Sequence, residues 1–183
     1  MAAIELTILI LVFLISLSLV WDSLRCGITP VPSTRKARQA ILQATEGAPD
    51  GPIIELGSGW GTLALALAKK YPDRQIIGYE ISLIPWLFSL LLKRLKRIDN
   101  LTLQRGNFLS TELPPAKLLV CYLYPKGMMK LAGKLKRERP RAEMLISNTF
   151  ALPGTEPLQV LRLQDLYRSP VYVYKLKDLN IEK

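Results

Sequence analysis

The sequence predicts a doubly wound α/β domain, a largely parallel sheet with helices on both faces, following an N-terminal transmembrane helix. Three observations lead there. Apolar strand-like runs alternate with helical patterns from Ile53 onward. The first run passes through an acid into a glycine-rich turn, Ile53-Ile54-Glu55-Leu56-Gly57-Ser58-Gly59-Trp60-Gly61-Thr62. The chain also opens with a stretch that carries no charge from Leu6 to Trp21.

The opening stretch is rich in Leu, Ile, Val and Phe. As a helix, Leu6 to Trp21 rises about 24 Å, slightly less than a hydrocarbon core. Counting from Ala2, with Glu5 at the interface, brings it to spanning length. A cleaved signal peptide fits poorly, because no Lys or Arg precedes the apolar run and no small-x-small site precedes Trp21-Asp22. Arg25 before Cys26 disfavours a lipoprotein cysteine. A buried core helix is the remaining alternative, but hydrophobicity on every side at a terminus favours a membrane anchor. Only Glu5 precedes the run, whereas Arg25, Arg35, Lys36 and Arg38 follow it. This asymmetry predicts a single pass with the C-terminal domain facing the cytosol, as at a bacterial inner membrane, and Trp21 at the interface.

From Asp22 the composition shifts to Pro, Ser, Thr and charge. Pro30-Val31-Pro32-Ser33-Thr34 reads as extended, with Ser33 or Thr34 capping a lead-in helix over Ala37 to Ala44 that covers the ligand site. Glu46 to Pro52 is a turn cluster. The expected organisation is an anchor over residues 1–21, a linker and lead-in helix over 22–51, and the α/β domain over 52–183.

Within that domain Leu63, Leu65 and Leu67 among alanines read as a helix, and Gln75 to Glu80 as the second strand. Ile81 to Leu92 has Pro85 in its first turn and ends in Lys93-Arg94-Leu95-Lys96-Arg97. It is too short to span a bilayer and is expected to be a buried sheet-packing helix. Partial immersion at a membrane surface, with the basic end on anionic headgroups, is the alternative. Leu101 to Arg105 alternates as a strand, and Lys117 to Leu123 is an apolar run suited to a central parallel strand. A helix through Met128, Met129, Leu131 and Leu135 follows, then a strand over Ala142 to Ser147. Leu158 to Leu163 and Val171 to Leu176 leave no room for a helix between them and predict an antiparallel pair at the sheet edge, making seven strands in all.

Composition narrows the partners. The formal charge is +10, from 25 Lys and Arg against 15 Asp and Glu, pointing to a membrane face, nucleic acid or an acidic protein unless the surface is merely solvated. Cys26 and Cys121 are the only cysteines, so a disulfide framework is not expected. The absence of histidine excludes His-metal sites and a histidine general base, and no metal is expected.

In open α/β sheets, ligands lie beyond the carboxyl ends of the strands. A dinucleotide fingerprint G-x-G-x-x-G would need glycine at Thr62, whereas the third glycine comes early, at Gly61. A plain glycine turn is the bland reading. The pattern acid-x-G-x-G-x-G resembles motif I of the class I S-adenosylmethionine (SAM) methyltransferases, which have a Rossmann-like fold. The resemblance implies SAM as cofactor, with Glu55 under its methionine end and Gly57, Ser58, Gly59 and Gly61 passing the ribose and sulfonium. Glu80, ending the second strand, is placed to accept from ribose hydroxyls. Asn107 would meet the adenine amino group, with Ile81 or Phe108 on the ring face. Tyr122 and Tyr124, with Pro125, would line the acceptor pocket after the fourth strand. Tyr122-Leu123-Tyr124-Pro125 replaces the Asn/Asp-Pro-Pro-Tyr element of adenine-N6 and glutamine methyltransferases, which disfavours a nucleic-acid base as acceptor.

A closer resemblance runs from about Pro30 to Pro153. Val31-Pro32-Ser33-Thr34, Glu55 to Gly59, Gly78-Tyr79-Glu80 with Pro85-Trp86-Leu87, and Pro125-Lys126-Gly127-Met128-Met129 before Leu131 and Lys134-Leu135 are similar to the ATP synthase c-subunit lysine methyltransferase family and its prokaryotic relatives. This adds Pro32, Ser33 and Thr34 to the expected cofactor contacts. It implies a membrane-anchored SAM-dependent methyltransferase acting on a lysine amine of a membrane-associated protein. A lipid-headgroup or small-amine methyltransferase is one alternative. A tethered module that binds cofactor or partner without turnover is another, suggested by Trp60 and Asn107, where that family carries aspartates.

Overall fold

The computed structural model describes residues 4–10, 12, 13, 16, 17, 20 and 33–176. Within the first group the residues are helical, and Leu6, Leu9 and Phe13 are exposed. Among the described residues no helix is long and apolar enough to cross a membrane. The expected anchor over Leu6 to Trp21 falls partly, and Pro32 and Cys26 wholly, outside the described residues.

The domain is a seven-stranded sheet in the order β3-β2-β1-β4-β5-β7-β6. Its strands are β1 (Ile53–Leu56), β2 (Ile76–Glu80), β3 (Leu101–Arg105), β4 (Leu118–Cys121), β5 (Met144–Asn148), β6 (Gln159–Arg162) and β7 (Pro170–Lys175). β1 to β5 pair in parallel, while β7 runs antiparallel to β5 and to β6. The expected antiparallel edge pair is therefore present. This is the Rossmann-like arrangement the sequence predicted.

Alternation along the central strands divides the core between the two faces. Ile53, Leu118, Val120, Met144 and Ile146 face one side, where they meet α1 (Arg35–Ala44) and α2 (Thr62–Lys70), with α3 (Leu83–Leu95) beside them. Ile54, Leu56, Leu119, Cys121 and Leu145 face the other, covered by Met128, Leu131 and Leu135 of α4 (Pro125–Glu138). The lead-in helix α1 is thus part of the core, contributing Ala37 and Ile41. It starts where sequence chemistry places it: Thr34 Oγ1 accepts from Ala37 N at 3.1 Å. Pro125 begins α4, where its missing N–H costs no helical bond.

β4 is shorter than the apolar run Lys117 to Leu123 suggests. Its pairing with β1 ends at Leu56↔Cys121, because Gly57 leaves the sheet with φ 82°. Tyr122, Leu123 and Tyr124 are thereby freed from the ladder at the carboxyl edge. No helix intervenes between β3 and β4 or between β5 and β6. The β3–β4 connection instead packs Phe108, Leu109 and Leu113 onto the sheet. Lys134 of α4, 2 % exposed, donates to Thr111 O at 2.8 Å and pairs with Glu138. The Lys134-Leu135 pair thus has a structural use: the lysine ties this connection down and the leucine fills the core.

α3 departs from expectation. Of its residues only Pro85 and Ser89 are buried, while Leu83, Leu87, Phe88, Leu91 and Leu95 are exposed.

Candidate active site

The sheet order reverses between β1 and β4, so the crevice at their carboxyl ends is the switch point where such sheets bind ligands. The glycine loop is held there by backbone bonds. Gly57 N and Ser58 N both donate to Tyr79 O, at 3.0 and 2.8 Å, and Gly61 N donates to Ser58 O at 2.8 Å. Gly57, Gly59 and Gly61 have φ of 82°, 53° and 73°, in the left-handed region. A Cβ on Gly61 would also lie 2.6 Å from Ser89 Cβ, so the loop rests directly on α3. Gly61 precedes α2 without a side-chain cap, and of the first-turn N–H groups that of Ala64 is taken by Glu55.

Glu80 braces this loop from β2. Its Oε2 accepts from Gly59 N at 2.6 Å and its Oε1 from Ser82 N at 2.7 Å. Each carboxylate oxygen has a further lone pair, so ribose hydroxyls can still donate to it. Glu55 lies buried beside it. Burial above all, then the charge of Glu80, raises its pKa well above the ordinary carboxylate range, against a hydrogen bond from the Ala64 backbone.

Among the described residues, the buried side-chain atoms lacking a hydrogen-bond partner are Glu55 Oε2, Ser58 Oγ and Asn148 Oδ1. All belong to the carboxyl edge: β1, the glycine loop and the last residue of β5. An unpartnered buried polar atom costs about 1–3 kcal/mol, and three along one edge of the sheet mark that edge as a place where a ligand could supply the missing partners. SAM, with an ammonium, a sulfonium and ribose hydroxyls, fits that demand.

The other expected contacts divide. Lys36 Nζ donates to Gln164 O at 2.6 Å, just beyond the carboxyl end of β6, so the start of α1 lies at the same edge as the loop. That places Ser33 and Thr34 there, although Thr34 Oγ1 is already engaged in capping. Asn107 Oδ1 accepts from Leu109 N at 3.0 Å, holding its own turn and retaining one lone pair for an adenine amino group. Phe108 is spent in the core with Ile54 and Tyr79. The apolar surface left for an adenine face is Ile81, which is exposed.

Tyr122 is half-buried, and its ring lies 6.5 Å from that of Phe150 at an interplanar angle of 19°. Phe150 is held by a tight turn: its carbonyl accepts from Ser147 Oγ at 2.6 Å, and its N–H donates to Asn148 O at 2.8 Å. The intervening Thr149 has φ 68°, a strained conformation for a β-branched residue. Tyr124 is the N-cap residue of α4, also half-buried, and Pro125 is exposed at the helix start. Pro125 therefore begins the helix, while Tyr122 stacks against Phe150 at the ends of β4 and β5. Trp60 packs edge-on against Phe88 of α3, with centroids 5.4 Å apart.

Sequence reasoning passed over Asn148 and Phe150 as site residues. The available signal was a polar residue ending an apolar strand, with an aromatic residue two positions on.

The comparisons agree with this geometry. Residues 55–159, more than half of the 183-residue chain, match the ANTKMT methyltransferase domain. A protein-lysine N-methyltransferase of Saccharolobus islandicus is 22% identical over 151 residues, 79% of this chain and 91% of that protein. The adenine nucleotide translocase lysine N-methyltransferase of Mus musculus is 28% identical over 141 residues, 75% of this chain and 60% of that protein. A crystal structure of an RNA methyltransferase from Salinibacter ruber with S-adenosyl-L-homocysteine superposes with a TM-score of 0.70. It is 19% identical, covering 80% of this chain and 94% of that one, a likeness of fold alone. With the loop, the paired acids and the unpartnered acceptors at the switch point, these matches place the chain in the ANTKMT methyltransferase domain family, as a SAM-dependent N-methyltransferase.

Proposed function

We propose that this methyltransferase acts on a lysine amine of a membrane-associated protein, with Tyr122 and Phe150 forming the wall against which the side chain lies. The observation that carries this reading is the aromatic pair at the ends of β4 and β5, on the same sheet edge as Glu55 and Glu80, in a protein whose relatives bear lysine methyltransferase names.

When bound, the cofactor supplies an activated methyl group, so the chain has little acid–base chemistry to perform. Its task is alignment and desolvation. Glu80 fixes the loop and receives hydroxyls. Glu55, Ser58 and Asn148 carry unpartnered buried polar atoms along the same edge. A lysine amine must be neutral to attack, and an aromatic, water-poor wall lowers its pKa toward that state. The amine proton released on methylation passes to solvent at the open carboxyl edge, where β5 runs to β6 without a covering helix.

The membrane component rests on the uncharged stretch from Leu6 to Trp21 and the basic residues after it. Lipid headgroups are the second reading, favoured by the exposed apolar surface of α3. Incubating the purified protein with radiolabelled SAM and its own membranes, then separating protein from lipid, tests both. Label in a protein band, on lysine after hydrolysis, is expected. Label confined to the lipid phase overturns the lysine reading. No label at all, with calorimetric binding of SAM intact, leaves a binding module.

A further inference from the structure

We propose that the outward face of α3 is a docking surface for an anionic lipid bilayer, on which the helix lies in the plane of the interface. The proposal rests on this surface alone and needs neither the lysine assignment nor the N-terminal segment.

α3 is apolar on both sides but uses only one. Pro85 and Ser89 are buried, and Trp86 Nε1 donates to Leu103 O at 3.1 Å, so the inner side is fully committed to the sheet. Leu83, Leu87 and Leu91 recur at helical spacing on the outer side, with Phe88 and Leu95 adjoining them. Leu91 is 54 % exposed and Leu95 70 %. A lone exposed leucine needs no explanation, but five large apolar side chains on one arc of one helix do.

The occupant follows from charge. Lys93, Arg94, Lys96 and Arg97 end the helix, and no acid occurs between Glu80 and Asp99. An apolar stripe joined to a purely cationic end matches acyl chains below and anionic headgroups around them. A second copy meeting this face with the two helices parallel would set the two basic ends against each other, in a chain that already carries a net charge of +10. At 13 residues, the helix is about 20 Å long, too short to cross a bilayer and long enough to lie along one.

The test uses the full chain reconstituted into vesicles of phosphatidylcholine, with or without phosphatidylglycerol. A fluorophore is attached at Leu91→Cys or, on the far side of the sheet, at Glu156→Cys, in a Cys26→Ser background. Lipids carrying nitroxides on their acyl chains are expected to quench the probe at 91 and spare that at 156, and to do so in the anionic vesicles. Lys96→Gln should lower the ratio of docked to undocked molecules about fivefold, the effect of one cation near an anionic surface. Equal quenching at the two sites overturns the proposal. So does quenching at 91 that ignores phosphatidylglycerol, or pyrene excimer formation from 91 without lipid, which would indicate a second copy. Because SAM binding is measured separately by calorimetry, failure here leaves the methyltransferase reading untouched.

Discussion

Glu80 Oε2 and Gly59 N lie 2.6 Å apart, so the acid expected to receive the ribose also fixes the loop that passes the cofactor. With Oε1 taken by Ser82 N, one carboxylate joins β2, the glycine loop and the approach to α3.

Glu80→Ala removes both bonds and any ribose contact. Hydrogen bonds to a charged group are worth about 1.5–3 kcal/mol each, so SAM affinity should fall by about a hundredfold or more. Isothermal titration with SAM checks this, and unchanged affinity would refute the ribose assignment.

The raised pKa of Glu55 gives a pH dependence with a definite sign. In the folded, ligand-free protein the group holds its proton to higher pH than in the unfolded chain. Between those two pKa values the native state binds more protons, so stability falls as pH rises through that window. Thermal melts of the ligand-free protein should show a decline that starts at the ordinary carboxylate pKa and levels off above the raised one. Glu55→Gln should flatten it. Binding of a cationic ligand favours the ionised form, so SAM affinity should increase with pH over the same range in the native protein and not in Glu55→Gln.

Gly61→Ala should be severely destabilising. The new methyl would meet Ser89 at 2.6 Å on a backbone with φ 73°. Overpacking costs about 1–3 kcal/mol and the left-handed conformation about 1–2 kcal/mol more. Chemical denaturation measures the loss. Adding Ser89→Gly should restore the steric part while leaving the conformational part.

If the ring lines the acceptor side as proposed, Tyr122→Ala should lower kcat/KM for the amine acceptor by about 10- to 100-fold while SAM affinity stays within about twofold. Tyr122→Phe keeps the stacking surface and should retain most activity. Equal losses in the two variants would shift the role from the ring to the hydroxyl.

Thr149→Gly should relieve a β-branched residue at φ 68° and so stabilise the protein by about 1 kcal/mol at most. It should also loosen Phe150 and reduce turnover. A more stable and slower variant, seen by melting and by methyl-transfer kinetics, would identify this turn as strain maintained for the site.

How legible all this is in the sequence varies with the origin of each feature. The strands and the glycine loop are local: their apolar runs and turn residues announce themselves, and the reversal at β1 and β4 follows from topology. The place of Glu80 at the carboxyl edge was legible because it ends a strand. Phe108 was not, because stacking on adenine and filling a core require the same side chain, and only the β3–β4 connection decides between them. Asn148 escaped because its significance lies in a hydrogen bond it does not make. The exposure of α3 escaped for a related reason: a helix apolar on both sides reads as buried on both, and periodicity does not reveal whether an outer layer exists.

The contact of Trp60 with Phe88 joins a residue inside the glycine loop to one on the exposed arc of α3. A surface that immobilises Phe88 therefore also restrains the loop, and a cofactor that orders the loop presents Phe88 in a fixed pose. Such linkage is reciprocal by thermodynamic necessity: lipid would tighten SAM by the same factor by which SAM tightens lipid. Catalytic readiness would then be a property of where the molecule sits. If α3 docks as proposed, an undocked molecule would hold its cofactor less firmly, and Trp60→Ala should uncouple the two without abolishing either.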